Sequence, residues 1–251
     1  MSILTVKSQG ILQMLLDRKQ LPAFKVLPYK FDMEKILEEF EKFKNINLYD
    51  DLNASNPDSA YGDFYNSSTK LDHLKKFADS NEDVTKGSQF YRQLSLTEFE
   101  GNRVERKLEQ DTGITTYRKS TNPDDPSYNP VMDERRYTKR KDICTGYWNN
   151  ILDTFKAPVT RTRFAYMAPG HSIKPHIDYN TTYSIRVHIP IVTNENAFLC
   201  VKNKNGVQKM HMPADGSVYF LNTGMTHWAE NNGNEGRIHL VVSLNGQEDI
   251  V

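Results

Sequence analysis

Apolar residues are spread along this chain in two textures, which change near Pro158. Before that point the clearest periodicity is helical. Ile36, Leu37, Phe40 and Phe43 share one face behind Asp32, a good N-cap, and this predicts a helix from Met33 to about Lys44. Ile143, Tyr147, Ile151 and Phe155 predict a second helix over Asp142–Phe155, and Leu71, Leu74 and Phe77 a shorter one over Thr69–Ala78. Residues 11–20 are apolar enough for a further short helix. The segment Phe24–Phe31 alternates like a strand, which Pro28 limits to an edge or a break. Residues 46–67, rich in Asn, Asp, Ser and Gly, read as a loop. Residues 80–140 are mostly polar and charged, with a proline-broken stretch at 120–130.

After Pro158 short runs rich in β-branched and aromatic residues recur: Arg161–Met167, Tyr183–Val192, Ala197–Lys202, Val207–Met212, Ser217–Asn222 and Arg237–Leu244. Turn residues separate them, among them Pro169-Gly170, Asp215-Gly216 and Asn231–Gly236. This pitch predicts a mainly β fold with helices. The expected core is a double-stranded β-helix, or jelly roll, over residues 141–251. A helical, loop-rich region over residues 1–140 is expected to pack on it and to supply substrate elements.

Composition narrows the function classes. Lys+Arg and Asp+Glu balance at 32 each, so no global field recruits nucleic acid or an anionic membrane. Hydrophobic content is 37%, and no apolar run is long enough to span a bilayer. The N-terminus lacks the pattern of a secretory signal, and the two cysteines, Cys144 and Cys200, do not form a disulfide framework. A cytoplasmic protein with reduced thiols, acting on a small molecule or a peptide, is the expectation.

The chemistry begins at His176-Ile177-Asp178, with His227 further on. Two imidazoles and a carboxylate in the order His-x-Asp…His are the ligand set of a non-haem Fe(II) oxygenase, which leaves one face of the metal open for O2 and a cosubstrate. On an extended segment His176 and Asp178 point to the same side, and His227 has to come from another strand. Around them stand Arg163-Phe-Ala-Tyr-Met-Ala-Pro-Gly, Tyr183-Ser-Ile-Arg186-Val-His188-Ile-Pro190, Gly216-Ser-Val-Tyr-Phe-Leu-Asn-Thr-Gly and Gly236-Arg237-Ile-His239-Leu-Val-Val-Ser243. This string resembles the aspartyl/asparaginyl β-hydroxylase family of 2-oxoglutarate-dependent oxygenases, which includes peptide hydroxylases and free-proline cis-hydroxylases. The likeness covers about residues 140–246 and extends weakly to residues 24–45.

The resemblance implies a cupin-like jelly roll. It also implies a hydroxylase that uses Fe(II), 2-oxoglutarate and O2 on an amino acid, free or peptide-borne, and releases succinate and CO2. It puts Arg237 on the far carboxylate of 2-oxoglutarate, where a planar guanidinium fork pairs well. It puts Arg186 and His188 near the cosubstrate's other carboxylate. The plain alternative for both arginines is a solvated strand residue. Ala165 stands where a family hydroxylase has a cosubstrate-contacting Ser, so that hydroxyl is lost or supplied elsewhere, with Tyr166 and Thr226 as candidates. Some family members lack the carboxylate ligand, and Asp178 points to the branch with a full triad. Candidate substrate residues are Tyr166, Asn180, Arg118, Arg135 and Trp228. Arg135 belongs to the charge run Glu134–Lys141, which reads equally well as a solvated face. Two other classes fit the residues less well: a non-catalytic jelly-roll protein that binds a metal or ligand, and a cupin-type metalloenzyme that does not use 2-oxoglutarate.

Overall fold

The structure, a computed structural model, describes residues 5–8, 11–43, 91–100, 124 and 133–251. The expected loop at 46–67, the helix at 69–78 and Arg118 lie outside the described residues. Among the described residues there are fourteen strands: β1 Thr5–Ser8, β2 Ile11–Met14, β3 Phe24–Lys30, β4 Tyr91–Ser95, β5 Thr97–Glu98, β6 Lys139–Arg140, β7 Val159–Met167, β8 His171–Ser172, β9 Ile185–Val192, β10 Ala197–Asn203, β11 Gly206–Met210, β12 Ser217–Leu221, β13 Thr226–Asn231 and β14 Arg237–Leu244. The helices among the described residues are α1 Met33–Glu41, α2 Tyr147–Asp153 and a 3-10 turn at Glu134–Arg136.

Two antiparallel sheets carry the site. One has six strands in the order β3-β12-β9-β14-β7-β4, and the other four, β11-β10-β13-β8. The crossing strand order and antiparallel pairing are those of the jelly roll. Alternation sorts side chains between the faces of the larger sheet. Along β14, Ile238, Leu240, Val242 and Leu244 join Phe164, Val187, Ile189 and Phe220 in a core that α1 and α2 cover with Ile36, Trp148, Ile151 and Leu152. The intervening residues Arg237, His239, Val241 and Ser243 face the smaller sheet, with Arg186 and His188 of β9 and Arg161 and Arg163 of β7. Met167, Tyr219 and Leu221 on this inner side pack against Leu199, Val201 and Ala229 of the smaller sheet.

Several expectations change in detail. Residues 11–14 form no helix but a strand paired with Thr5–Ser8; two short β-prone runs either side of Gln9-Gly10 satisfy each other's backbone. Leu37 is 44% exposed, whereas Ile36 of α1 is buried at 0% and Phe43, just past the helix end, at 5%. α2 begins at Tyr147 rather than Asp142, after Gly146 at φ 53°, a left-handed conformation that breaks the helical run. Its buried face is Trp148, Ile151 and Leu152. β3 lies at the sheet edge as Pro28 requires, and its register with β12 shifts between Ser217 and Tyr219. β3 and β4, both from before residue 140, add to the larger sheet.

Candidate functional site

His176 and Asp178 lie in the loop that follows β8, and His227 lies on β13. A single antiparallel bridge ties them: His176 N–H donates to His227 O at 3.0 Å, and His227 N–H to His176 O at 2.9 Å. The Asp178 N–H donates to Thr223 O at 3.0 Å, so the second ligand is also anchored by backbone.

The side chains converge. One ligand atom from each of the three lies within 4.8 Å of the others. Asp178 Oδ1 is 3.8 Å from His176 Nε2, and Oδ2 is 3.5 Å from His227 Nε2. Each histidine uses its other ring nitrogen on a backbone carbonyl: His176 Nδ1 with Lys174 O at 2.8 Å, His227 Nδ1 with Met225 O at 3.0 Å. A carbonyl can only accept, so both rings carry the proton on Nδ1 and turn an Nε2 lone pair towards Asp178. Burial and the neighbouring His227 push the His176 pKa down, which keeps its ring neutral. Burial works against the charge of Asp178, but the Arg186 guanidinium outweighs it and holds the carboxyl well below the usual range.

The donor set fits a divalent metal. Octahedral ligands about 2.1 Å from a shared ion stand ~3 Å apart, and the Asp178–histidine separations of 3.8 and 3.5 Å lie close to that. His176, 39% exposed, and Ile177, 54% exposed, form the open side, while His227 is 6% exposed.

Behind the triad lies a buried network of charges. Arg186 Nη1 donates to Asp178 Oδ2, and its Nη2 donates to Glu134 Oε1 at 2.7 Å. Arg161 Nη1 donates to the same Glu134 oxygen at 2.5 Å, and Ser243 Oγ to Glu134 Oε2 at 3.3 Å. Glu134 is 5% exposed. Burial alone would raise its pKa, but Arg186, Arg161 and Arg163 hold it at about 2. Farther along the inner face, Arg237 is buried, and His188 and His239 meet through their Nδ1 atoms at 3.4 Å. Burial, then the Arg237 charge, depresses both imidazoles well below their ordinary pKa, so they are neutral.

The candidate substrate residues are placed differently. Asn180 donates through Nδ2 to Asp17 Oδ2 at 2.7 Å and so ties the N-terminal segment to the loop after Asp178. Arg135 grips Asp133 with Nε and Nη2, both at 2.8 Å, and lies over the Tyr183 ring 4.5 Å from its centroid. Trp228 and Tyr166 are not brought to the triad. Trp228 alternates with inward-facing His227 and Ala229 and donates to Glu230 Oε1 at 2.7 Å. Tyr166 alternates with inward-facing Ala165 and Met167 and packs on Gly236, where an added Cβ would stand 2.5 Å from its ring.

Arg161, Arg163, His239 and Glu134 are the inner-face residues that sequence reasoning missed. Arg161 and Arg163 had a usable signal, two arginines at period 2 inside the otherwise uncharged Val159–Met167. Glu134 had none, since its charge run looks like solvated surface.

No curated protein matches the chain. Similar solved structures include a cupin domain from Bordetella pertussis Tohama I, at 14% identity over 37% of this chain and 88% of that one, with a TM-score of 0.28. A nickel complex of the non-heme monooxygenase ThoJ is similar at 17% identity over 34% of this chain and 42% of that one, with a TM-score of 0.28. The formate complex of Lactobacillus farciminis oxalate decarboxylase is similar at 21% identity over 34% and 24% of the two chains, with a TM-score of 0.29. In the last two, the match spans less than half of the other protein. The fold class rests on the strand order described above. The family described as aspartyl/asparaginyl beta-hydroxylase matches residues 132–246, a stretch that holds all three converging ligands, Glu134, Arg186 and Arg237. Over residues 132–246, this chain is similar to the aspartyl/asparaginyl β-hydroxylase family.

Proposed function

We propose that this protein is an Fe(II)- and 2-oxoglutarate-dependent dioxygenase that hydroxylates an amino acid, free or peptide-borne, with release of succinate and CO2. The observation that carries the reading is the convergence of His176 Nε2, His227 Nε2 and the Asp178 carboxylate within 4.8 Å, in a jelly roll whose inner face also bears Arg237. Bound there, Fe(II) with 2-oxoglutarate would supply the O2 activation that inserts oxygen into a C–H bond.

The chain's own residues do the rest. The carbonyls of Lys174 and Met225 fix the two imidazoles, so the ligand lone pairs are set before metal arrives. The Arg237 guanidinium suits the far carboxylate of 2-oxoglutarate, and its burial strengthens that pairing by excluding water. Neutral His188, on the same inner face, offers a hydrogen-bonding group without adding charge. The exposed side at His176 and Ile177 is where substrate would approach. Buried, free Cys144 and Cys200 support a cytoplasmic setting.

The test is turnover. Iron-loaded protein given O2, 2-oxoglutarate and a panel of free amino acids and short peptides should form succinate and add one oxygen to a panel member. Folded, iron-loaded protein that never consumes 2-oxoglutarate contradicts the reading.

A further inference from the structure

We propose that Glu134 is a positioning residue: through the planar fork of Arg186 it fixes the Asp178 carboxylate that completes the metal triad. The inference rests on the metal site proposed above and adds to it a residue far from the ligands in sequence. It also gives Arg186 a different task from the cosubstrate contact that family resemblance implies.

The geometry is specific. Arg186 spends one Nη on Asp178 Oδ2 and the other on Glu134 Oε1, so the guanidinium plane is defined at both ends by carboxylates. A single carboxylate partner would leave that plane free to swing, and a lysine could not span both. Glu134 itself is fixed. Its Oε1 also accepts from Arg161, its Oε2 accepts from Ser243, and its backbone N–H donates to the Tyr183 hydroxyl at 3.0 Å. That hydroxyl in turn donates to Asp133 Oδ1 at 2.7 Å, within the same short 3-10 turn region. Asp178 has the opposite character: it sits in a loop, with its side chain 20% exposed. With Oδ2 held by Arg186, Oδ1 is left to bind metal as a single donor. Outer partners of this kind set ligand orientation and hence affinity.

The experiment uses Co(II) as a spectroscopic stand-in for iron in the full chain. Wild type should bind Co(II) with a ligand-field spectrum characteristic of the triad. Glu134→Gln, folded by circular dichroism, should weaken Co(II) binding about tenfold or more and alter that spectrum. Arg186→Lys should do the same, and the double variant should be little worse than either single one, because both break one linkage. Ser243→Ala, a gentler change that keeps every charge, should weaken Co(II) binding by a smaller factor, so the proposal stays testable if Glu134→Gln does not fold. Wild-type Co(II) affinity and spectrum in folded Glu134→Gln, or in Ser243→Ala if that is the only folded variant, would overturn the proposal. It is also overturned if Arg186→Lys leaves Co(II) binding intact but weakens 2-oxoglutarate binding to the Co(II)-loaded protein, which assigns Arg186 to the cosubstrate. A wild type that binds no Co(II) contradicts the metal-site reading itself, and the proposal falls with it.

Discussion

At the scale of single residues, two side chains of the site are readable as a pair because extended backbone puts His176 and Asp178 on one side. His227 is readable as the third only through the order of motifs. Removing a ligand should show at once: Asp178→Ala should weaken Co(II) binding by more than about 100-fold, beyond the ~10–100-fold that loss of an outer partner costs, as read by direct titration. What stayed hidden is the partner of each charge. Nothing local distinguishes Glu134 from its neighbours in Glu134–Lys141, because its role depends on Arg161 and Arg186, which only the fold brings near. Tyr166 and Trp228 lie beside true inner-face residues in sequence. Side chains along a strand point to opposite faces in turn, so their neighbours' inward placement turns them away.

At the scale of elements, the long periodic ones were legible and the short ones were not. α1 was announced by Asp32, whose side chain accepts from the N–H groups of Glu34 and Lys35 at 3.0 and 3.3 Å. Asp32→Ala should therefore lower the midpoint of urea unfolding. α2 reads through its apolar face, but Gly146 delays its start, and Trp148, fully buried at 0% exposure, escaped the pattern. Trp148 stacks edge-on with Phe164, centroids 5.0 Å apart, and so joins α2 to the back of β7. Trp148→Ala should cost ~3–5 kcal/mol by the same measurement. β13 was missed although it carries His227, because Thr226-His-Trp-Ala-Glu-Asn231 has few β-branched residues and owes its strand form to β10 on one side and β8 on the other.

At the scale of the whole molecule, the jelly roll was legible after Pro158, where strands recur at a regular pitch. The edge strands β3 and β4 were harder to place, because their partners are distant in sequence. The buried charge network makes the fold sensitive to acid, with a definite sign. Glu134 titrates at about 2 when folded against 4.5 ordinarily, so its contribution is complete above pH 4.5 and is lost as pH falls from there to 2. The loss amounts to ~3 kcal/mol for this group, and Asp178, likewise held down, adds to it. Urea unfolding of the metal-free protein between pH 6 and 2.5 should show this decline, and Glu134→Gln should flatten it. A stability independent of pH over that range would contradict the network's energetic role.

The central claim is that the His176, Asp178 and His227 cluster holds iron beside a 2-oxoglutarate site anchored by Arg237. Its most direct test is an anaerobic titration of the metal-free protein with Fe(II) and then 2-oxoglutarate, followed by visible absorption. A weak charge-transfer band should appear that needs both additions, disappears in Asp178→Ala, and requires a much higher 2-oxoglutarate concentration in Arg237→Ala. If folded, iron-loaded wild-type protein gives no band at any 2-oxoglutarate concentration, the claim is wrong.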